Sequence, residues 1–264
     1  MKKIILFIII LLALISAFVY RIKIKDVWSD LTKPPLPEAV EYNEQKKQLT
    51  NNEQRAIVDN QNNSLNSAST TPNITLPKSF NLNVPFTSQA PLADWNETFK
   101  EACEETAALI VHYYYQNKTF APQTATEEIL KMVDWQEKNW GGHYDLTASQ
   151  TAALIKNYFG YKKVEIINNP TVDDIKYHIS EKRPVIVPAA GQLLGNPYFR
   201  TPGPIYHMLV INGYIDDKFI TNDPGTKRGE NFLYDDDTIM DAMHDFDSDD
   251  ILKGKKRIIV IYPK

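Results

Sequence analysis

The sequence predicts an α+β fold for residues 80–264, in which helices precede an antiparallel sheet. Two patterns predict it: apolar residues recur with helical spacing in the first half of this region, and short apolar runs bounded by turn residues follow in the second half. Segregated helices and strands are typical of α+β domains. The composition agrees with one globular unit, because 43% of the 264 residues are apolar and 23% are charged.

Four helices are predicted in the first half of the domain. Thr147 and Gln150 have the spacing of a capping box that opens the third, and Gly160 ends it. The fourth opens at Thr171 and must stop before Pro184. The predicted helices cover residues 102–116, 124–139, 147–159 and 171–183.

Five strands are predicted from apolar runs that turn residues separate. The last three are consistent with an antiparallel sheet, because short turns join antiparallel neighbours. The predicted strands cover residues 164–167, 184–189, 207–213, 218–221 and 257–262.

The chain before the domain divides into two segments. Residues 1–25 are predicted to be a membrane anchor or signal segment, because residues 4–20 are almost all apolar and as a helix would measure about 26 Å. We favour an uncleaved anchor, although Ala17 is a possible cleavage position for a signal peptidase. Residues 26–79 are polar and predict a flexible linker, with an inhibitory prosegment as the alternative. The remaining residues, 80–264, form the predicted domain.

Charge and cysteine content exclude several kinds of function. Five of the 29 basic residues lie in the first 25 positions, so the rest of the chain carries 24 basic against 33 acidic residues. Such an acidic body lacks the basic surface that nucleic-acid binding needs. A single cysteine excludes an intramolecular disulfide and any multi-cysteine metal site. The acidic residues 245–250 do not continue as an EF-hand loop, so no metal or other cofactor is predicted.

Cys103 is the candidate nucleophile. It lies at the start of a predicted helix, where backbone N–H groups and the helix dipole stabilise a thiolate. Glu104 and Glu105 follow directly and act in the opposite direction, since like charge raises the pKa of a thiol. A small core residue is the alternative interpretation.

A nucleophilic cysteine needs a base, and His207 is the candidate because it begins an apolar strand. If the hairpin that follows is centred on Ile215, Asp223 falls directly opposite His207 and can orient the imidazole. Centring the turn on Asp216 and Asp217 would spoil this register. The alternative interpretation of Asp223 is a turn residue. Gln89 has an amide that can donate a hydrogen bond, and its alternative interpretation is an ordinary loop residue.

Four motifs in this order resemble the C39-like branch of the papain-type cysteine peptidases: Val84-Pro85-Phe86-Thr87-Ser88-Gln89, Ala102-Cys103, a strand running from His207 to Gly213-Tyr214, and Asn222-Asp223-Pro224. The resemblance implies a papain-like fold. It implies that Cys103 is the nucleophile, His207 the general base, Asp223 the orienting residue and Gln89 the oxyanion donor. Glu104 departs from the family, which often has glycine there. The transporter that carries typical C39 domains is not visible in this sequence, so cleavage of leader peptides is not implied.

The sequence therefore predicts a thiol hydrolase, most simply a peptidase, tethered to a membrane with its domain outside the cytoplasm. Its expected partners are a peptide or protein substrate and the membrane that holds residues 1–25. Residues 188–206, just before His207, are expected to contribute to substrate specificity. Two alternatives stay open: an inactive module that binds peptides or cell wall, and an acyltransferase or amidase with the same fold.

Overall fold

A computed structural model describes residues 33–42 and 76–263, together with residues 10 and 16. The helices of this described part are α1 (Glu97–Lys100), α2 (Cys103–Gln116), α3 (Pro122–Trp140), α4 (Ala148–Phe159), α5 (Val172–Ser180) and α6 (Asp236–Ala242). Its strands are β1 (Ala39–Val40), β2 (Ser79–Leu82), β3 (Val164–Asn168), β4 (Val185–Ala190), β5 (Tyr206–Ile215), β6 (Lys218–Asn222), β7 (Phe232–Asp235) and β8 (Arg257–Ile261).

The four predicted helices are present as α2 to α5. The capping box of α4 forms as predicted, with Thr147 and Gln150 bonding each other's backbone, and Gly160 ends that helix with φ 72°. The five predicted strands are present as β3, β4, β5, β6 and β8. The sequence missed β1, β2, β7 and the two short helices, because elements this short carry little periodicity.

The strands form one sheet whose main path runs β1-β2-β5-β4-β8-β3, with β6 paired to β5 and β7 paired to β6. Only β1 and β2 run parallel among the described strands; the other pairings are antiparallel. Strand β5 is the centre of this arrangement and is buried along almost its whole length. Helix α2 packs against β5, which brings the two halves of the candidate site onto neighbouring elements. The chain thus has the predicted α+β fold.

The register of the β5–β6 hairpin differs from the predicted one. Ile215 pairs with Lys218, so the turn consists of Asp216 and Asp217, and Asp216 adopts a left-handed conformation with φ 52°. The register then shifts between Ile211 and Gly213. Asp223 is therefore not directly opposite His207, and the prediction of a hairpin centred on Ile215 is wrong. A two-residue turn with one left-handed residue suits the twist of the strands better than a centre on Ile215.

The residues Pro37–Lys264 form one compact unit. Residues 37–42 belong to it although they lie within the predicted linker: β1 pairs with β2, and the Asn83 amide donates to the Val40 carbonyl at 3.0 Å. Of the second unit, Met1–Leu36, the structure describes only residues 10, 16 and 33–36. Apart from residues 10 and 16, the predicted anchor lies outside the described residues, as does most of the linker. Within the described part, no helix combines the length and apolar character that a bilayer span requires.

Candidate active site

Cys103 is the first residue of α2, as the sequence predicts. Its side chain is buried, and the thiol donates a hydrogen bond to Oε2 of Glu104 at 3.0 Å. Burial, followed by the Glu104 carboxylate, raises the pKa of the Cys103 thiol well above its ordinary value. In this arrangement Cys103 carries its proton at neutral pH, despite its place at a helix start.

His207 and Asp223 are hydrogen-bonded, with 2.8 Å between Nε2 and Oδ1. His207 extends from the second position of β5, and Asp223 follows the last residue of β6. Both side chains are fully buried. The contact runs diagonally across the two strands, and it leaves Gly225 beside the imidazole, where an added Cβ would lie 3.1 Å from Nε2. The predicted pair forms, but through a different register from the one that suggested it.

Gln89 joins the two sides of the site. Its Nε2 donates to the carbonyls of Phe99 and Lys100, both at 2.9 Å, just before Cys103 in the chain. Its backbone amide donates to the Pro224 carbonyl at 2.9 Å, directly after Asp223. Both side-chain hydrogens of Gln89 are thus engaged, while its buried Oε1 has no partner.

These residues fall within the segment that identifies the chain. Residues 81–244 match the Peptidase_C39 like family, which is more than half of the chain. The chain belongs to the C39-like peptidase family. A crystal structure of a proposed C39-like peptidase from Bacillus anthracis has a TM-score of 0.47 and 15% sequence identity, and covers 69% of this chain and 96% of its own. No curated protein matches the chain.

The C39-like domain surrounds Asp223 with two further residues that sequence reasoning missed. Asn196 Nδ2 donates to Asp223 Oδ2 at 3.0 Å, and the Tyr234 hydroxyl donates to the same oxygen at 2.6 Å. The Gly225 amide donates to Oδ1 at 2.9 Å. Burial alone would raise the pKa of Asp223, but His207, Tyr234 and Gly225 together hold it below its ordinary value. No spacing in the sequence links Asn196 or Tyr234 to this carboxylate.

Buried acids line the other side of Cys103 in the C39-like domain. Glu104 Oε1 accepts from the Leu146 amide at 2.7 Å, which anchors the carboxylate beside the thiol. Glu105 accepts from Gln136, and His143 Nε2 lies 3.6 Å from Glu105 Oε1. Burial, and then the Glu105 carboxylate, raises the pKa of Glu104. In the part of the chain that the structure describes, no group of three or more His, Cys, Asp or Glu residues has an arrangement suited to a metal ion.

Of the four predicted residues, His207 and Asp223 are in direct contact, and Gln89 bonds the chain next to Asp223 and just before Cys103. Gln89 connects the end of α1, just before Cys103, with the Pro224 turn after Asp223, and the His207–Asp223 pair is assembled. No hydrogen bond joins Cys103 to His207 among the residues that the structure describes, because the thiol bonds Glu104 instead. The arrangement can orient a general base, and it holds the thiol in its neutral form.

Proposed function

We propose that this chain is a thiol hydrolase that cleaves peptide bonds, with Cys103 as nucleophile, His207 as general base and Asp223 as its orienting partner. The buried bond between His207 and Asp223 is the observation that carries the proposal. A carboxylate that accepts four hydrogen bonds in a fully buried position fixes the tautomer and direction of an imidazole. Such a pair is costly to build in a core and is typical of sites that transfer protons.

The proposed reaction proceeds in two halves. His207 takes the thiol proton as Cys103 Sγ forms a bond to the carbonyl carbon, and returns it to the leaving nitrogen as the peptide C–N bond breaks. Water then attacks the thioester and gives a proton to His207, and the C–S bond breaks as His207 passes that proton to the sulfur, which releases the acid and restores the thiol. The Cys103 backbone N–H lies at a helix start and can donate to the oxyanion. Gln89 would contribute only after releasing the Phe99 or Lys100 carbonyl.

One structural step must precede this chemistry. The Cys103 proton points to Glu104, so the thiol has to rotate away from that carboxylate before His207 can accept the proton. The same hydrogen bond favours a second candidate function, an inactive peptide-binding or wall-binding module that retains the fold but holds its cysteine neutral. An acyltransferase or amidase would use the same thioester with an amine as acceptor.

We also propose that residues 4–20 anchor the chain in a membrane and that the domain acts outside the cytoplasm on a peptide or protein. The support is the length and apolar character of this run in the sequence and the polar residues that follow it. Protease protection of the full chain in sealed vesicles tests the topology, with a lumenal or external domain expected.

Labelling of Cys103 with a peptidyl acyloxymethyl ketone tests the proposed mechanism, followed by mass spectrometry. Rapid labelling is expected in the wild type, none in Cys103→Ala, and at least a hundredfold slower labelling in His207→Ala, since a general base typically contributes about 10²–10⁴ in rate. His112→Gln is the matched control, because His112 lies further along α2 with its ring stacked on Phe159. Slow labelling that His207→Ala leaves unchanged would support the inactive module instead.

A further inference from the structure

A small pocket lies in the loop that precedes His207. Its lining includes Gln192, Asn196, Phe199 and three glycines, and its volume is about 170 Å³. That volume is well below the range of roughly 300–1,000 Å³ for pockets that enclose a whole drug-sized ligand. A single side chain of several heavy atoms is therefore the largest occupant that the pocket suits.

The pocket shares a wall with the proposed catalytic pair. The Phe199 ring stands edge to face against the His207 imidazole, with 5.4 Å between ring centroids. Gly191 lies so close to His207 that an added Cβ would come within 3.0 Å of the His207 Cβ. A side chain in the pocket would therefore belong to a residue near the bond under attack.

The chemistry of the lining selects an uncharged occupant. None of the lining residues carries a charge, and Phe199 and Pro202 offer apolar surface. Asn196 has no hydrogen left to donate, because Nδ2 donates to Asp223 and Tyr234, and its Oδ1 already accepts from the Tyr198 amide. A charged side chain would give up part of its hydration there and find no opposite charge, since Gln192 and Thr201 offer only neutral polar groups, and this is unfavourable.

We propose that this pocket is the specificity subsite of the enzyme and accepts an apolar substrate side chain of about the size of leucine, methionine or phenylalanine. The inference rests on the proposed peptidase function and adds to it the class of residue that is recognised. It assigns to residues 191–203 a definite role within the longer segment that the sequence indicated.

Gln192 and Leu193 provide a matched pair of test positions. They are neighbours on one 3-10 turn, but only Gln192 lines the pocket, with its side chain beside Gly203 at the opposite wall. Leu193 is exposed and is not among the lining residues. Gln192→Trp is thus expected to close the pocket, whereas Leu193→Trp adds the same bulk outside it.

Two measurements separate the subsite from the hydrolase. In a peptide-library digest read by mass spectrometry, the wild type and Leu193→Trp should prefer Leu, Met or Phe at one position near the cleaved bond. In Gln192→Trp, the ratio of cleavage at Leu, Met or Phe to cleavage at Gly or Ala should fall at least tenfold. In a second assay on Cys103→Ala, NMR titration with N-acetyl-L-leucinamide should shift the signals of residues 191–203, and N-acetyl-L-lysinamide should not.

The outcomes distinguish the two proposals. Cleavage with a preference that Gln192→Trp leaves unchanged, or with a charged residue preferred, would overturn the subsite while the hydrolase stands. Binding of N-acetyl-L-leucinamide that Gln192→Trp abolishes, in a wild-type protein that cleaves no peptide, would support the subsite and overturn the peptidase. Absence of binding at millimolar N-acetyl-L-leucinamide would overturn the subsite whatever the cleavage result.

Discussion

Asp223 shows how a buried charge is kept in this domain. Its two oxygens accept one hydrogen bond each from His207, Gly225, Asn196 and Tyr234. His207, Tyr234 and Gly225 outweigh the cost of burial and lower the pKa of the carboxyl group. Because the folded-state pKa lies below the unfolded value, the stabilisation is complete above about pH 4 and is lost as the pH falls through the folded-state pKa.

Tyr234→Phe removes one of those donors without changing the ring. We expect the pKa of Asp223 to rise and the free energy of unfolding to fall by about 1.5–3 kcal/mol at pH 7, the usual contribution of a hydrogen bond to a charged group. The difference from wild type should shrink as the pH falls through the folded-state pKa values of Asp223 in the two proteins, and it should be smallest once Asp223 is protonated in both. Urea unfolding of both proteins at pH 7 and at low pH measures this difference in the free energy of unfolding.

Tyr177→Phe is the control for that experiment, because Tyr177 is a partly exposed tyrosine on α5, away from Asp223. It should change the free energy of unfolding little at either pH. If the loss in free energy of unfolding caused by Tyr234→Phe stayed constant down to low pH, the hydroxyl would act through packing rather than through the Asp223 charge.

After burial, Glu104 is the main group that raises the pKa of the Cys103 thiol. Glu104→Gln removes the acid group next to the thiol while an amide oxygen can still accept from Leu146. We expect the pKa of Cys103 to fall and alkylation by iodoacetamide at pH 7 to accelerate several-fold. The pH dependence of alkylation, read by mass spectrometry at the single cysteine, measures both effects.

Glu105→Gln is the matched change at the next buried acid. Glu105 does not bond the thiol and contributes least among the groups that raise the pKa of Cys103, so its effect should be smaller. Equal acceleration in the two variants would show that total charge matters and the Cys103–Glu104 bond does not.

The sequence predicted the contact between His207 and Asp223 but not the strand register that produces it. His207 and Asp223 were paired through a register that the structure does not have, and the contact survives because a diagonal approach still joins the two side chains. Asn196 and Tyr234 could not be predicted, since their link to Asp223 depends on how a loop and a third strand fold over it. For Cys103 and Glu104, the sequence predicted only that the carboxylate would disfavour a thiolate, whereas the structure shows a hydrogen bond from the thiol to Glu104.

At the level of elements, the long helices and central strands were predictable because each shows a clear period or a local cap. The short elements were not, because tertiary contacts create them. Strand β2 is an example: Gly213 of β5 lets it approach so closely that an added Cβ would lie 2.6 Å from the Phe80 carbonyl oxygen. A glycine in a strand pattern signals such an approach but does not identify the neighbour.

Asp245 ties two elements together and offers a test at this scale. Its Oδ1 accepts from the Ala148 amide at the start of α4 at 2.6 Å, and its Oδ2 pairs with Arg257 of β8 at 2.7 Å. We expect Asp245→Ala to lower the free energy of unfolding by about 2–4 kcal/mol, because it leaves a partly buried Arg257 and a helix amide without their partner. Chemical denaturation measures the change.

Asp245→Asn separates the two contributions, since it retains an acceptor for Ala148 and loses the ion pair, so its cost should be intermediate. Asp249→Ala is the control in the same acidic stretch, where the side chain is exposed. If Asp245→Ala were no more costly than Asp249→Ala, the acidic stretch would be a solvated surface, as the sequence alone suggests.

At the scale of the whole molecule, residues 37–42 pack on the domain although composition places them in the linker. Residues 26–79 read as one polar linker, yet Pro37–Lys264 is the compact unit. The Tyr42 ring packs edge to face on Tyr114 and Tyr115 of α2, at centroid distances of 5.5 and 5.1 Å. Residues 37–42 are too few to change the polar composition of the linker, so composition does not reveal β1 or the packing of Tyr42.

A chain that begins at residue 76 should therefore be less stable than one that begins at residue 37. Loss of the Tyr42 contacts uncovers the rings of Tyr114 and Tyr115, and each aromatic pair is worth about 0.5–1.5 kcal/mol beyond its buried area, so we expect a deficit of about 2–3 kcal/mol and a lower Tm. Tyr42→Ala in the longer chain should reproduce most of it, because β1 contributes only a two-residue pairing. Calorimetry of the three proteins measures these differences. Equal Tm values for the two chain lengths would contradict the docking of residues 37–42 and return the domain boundary to residue 80.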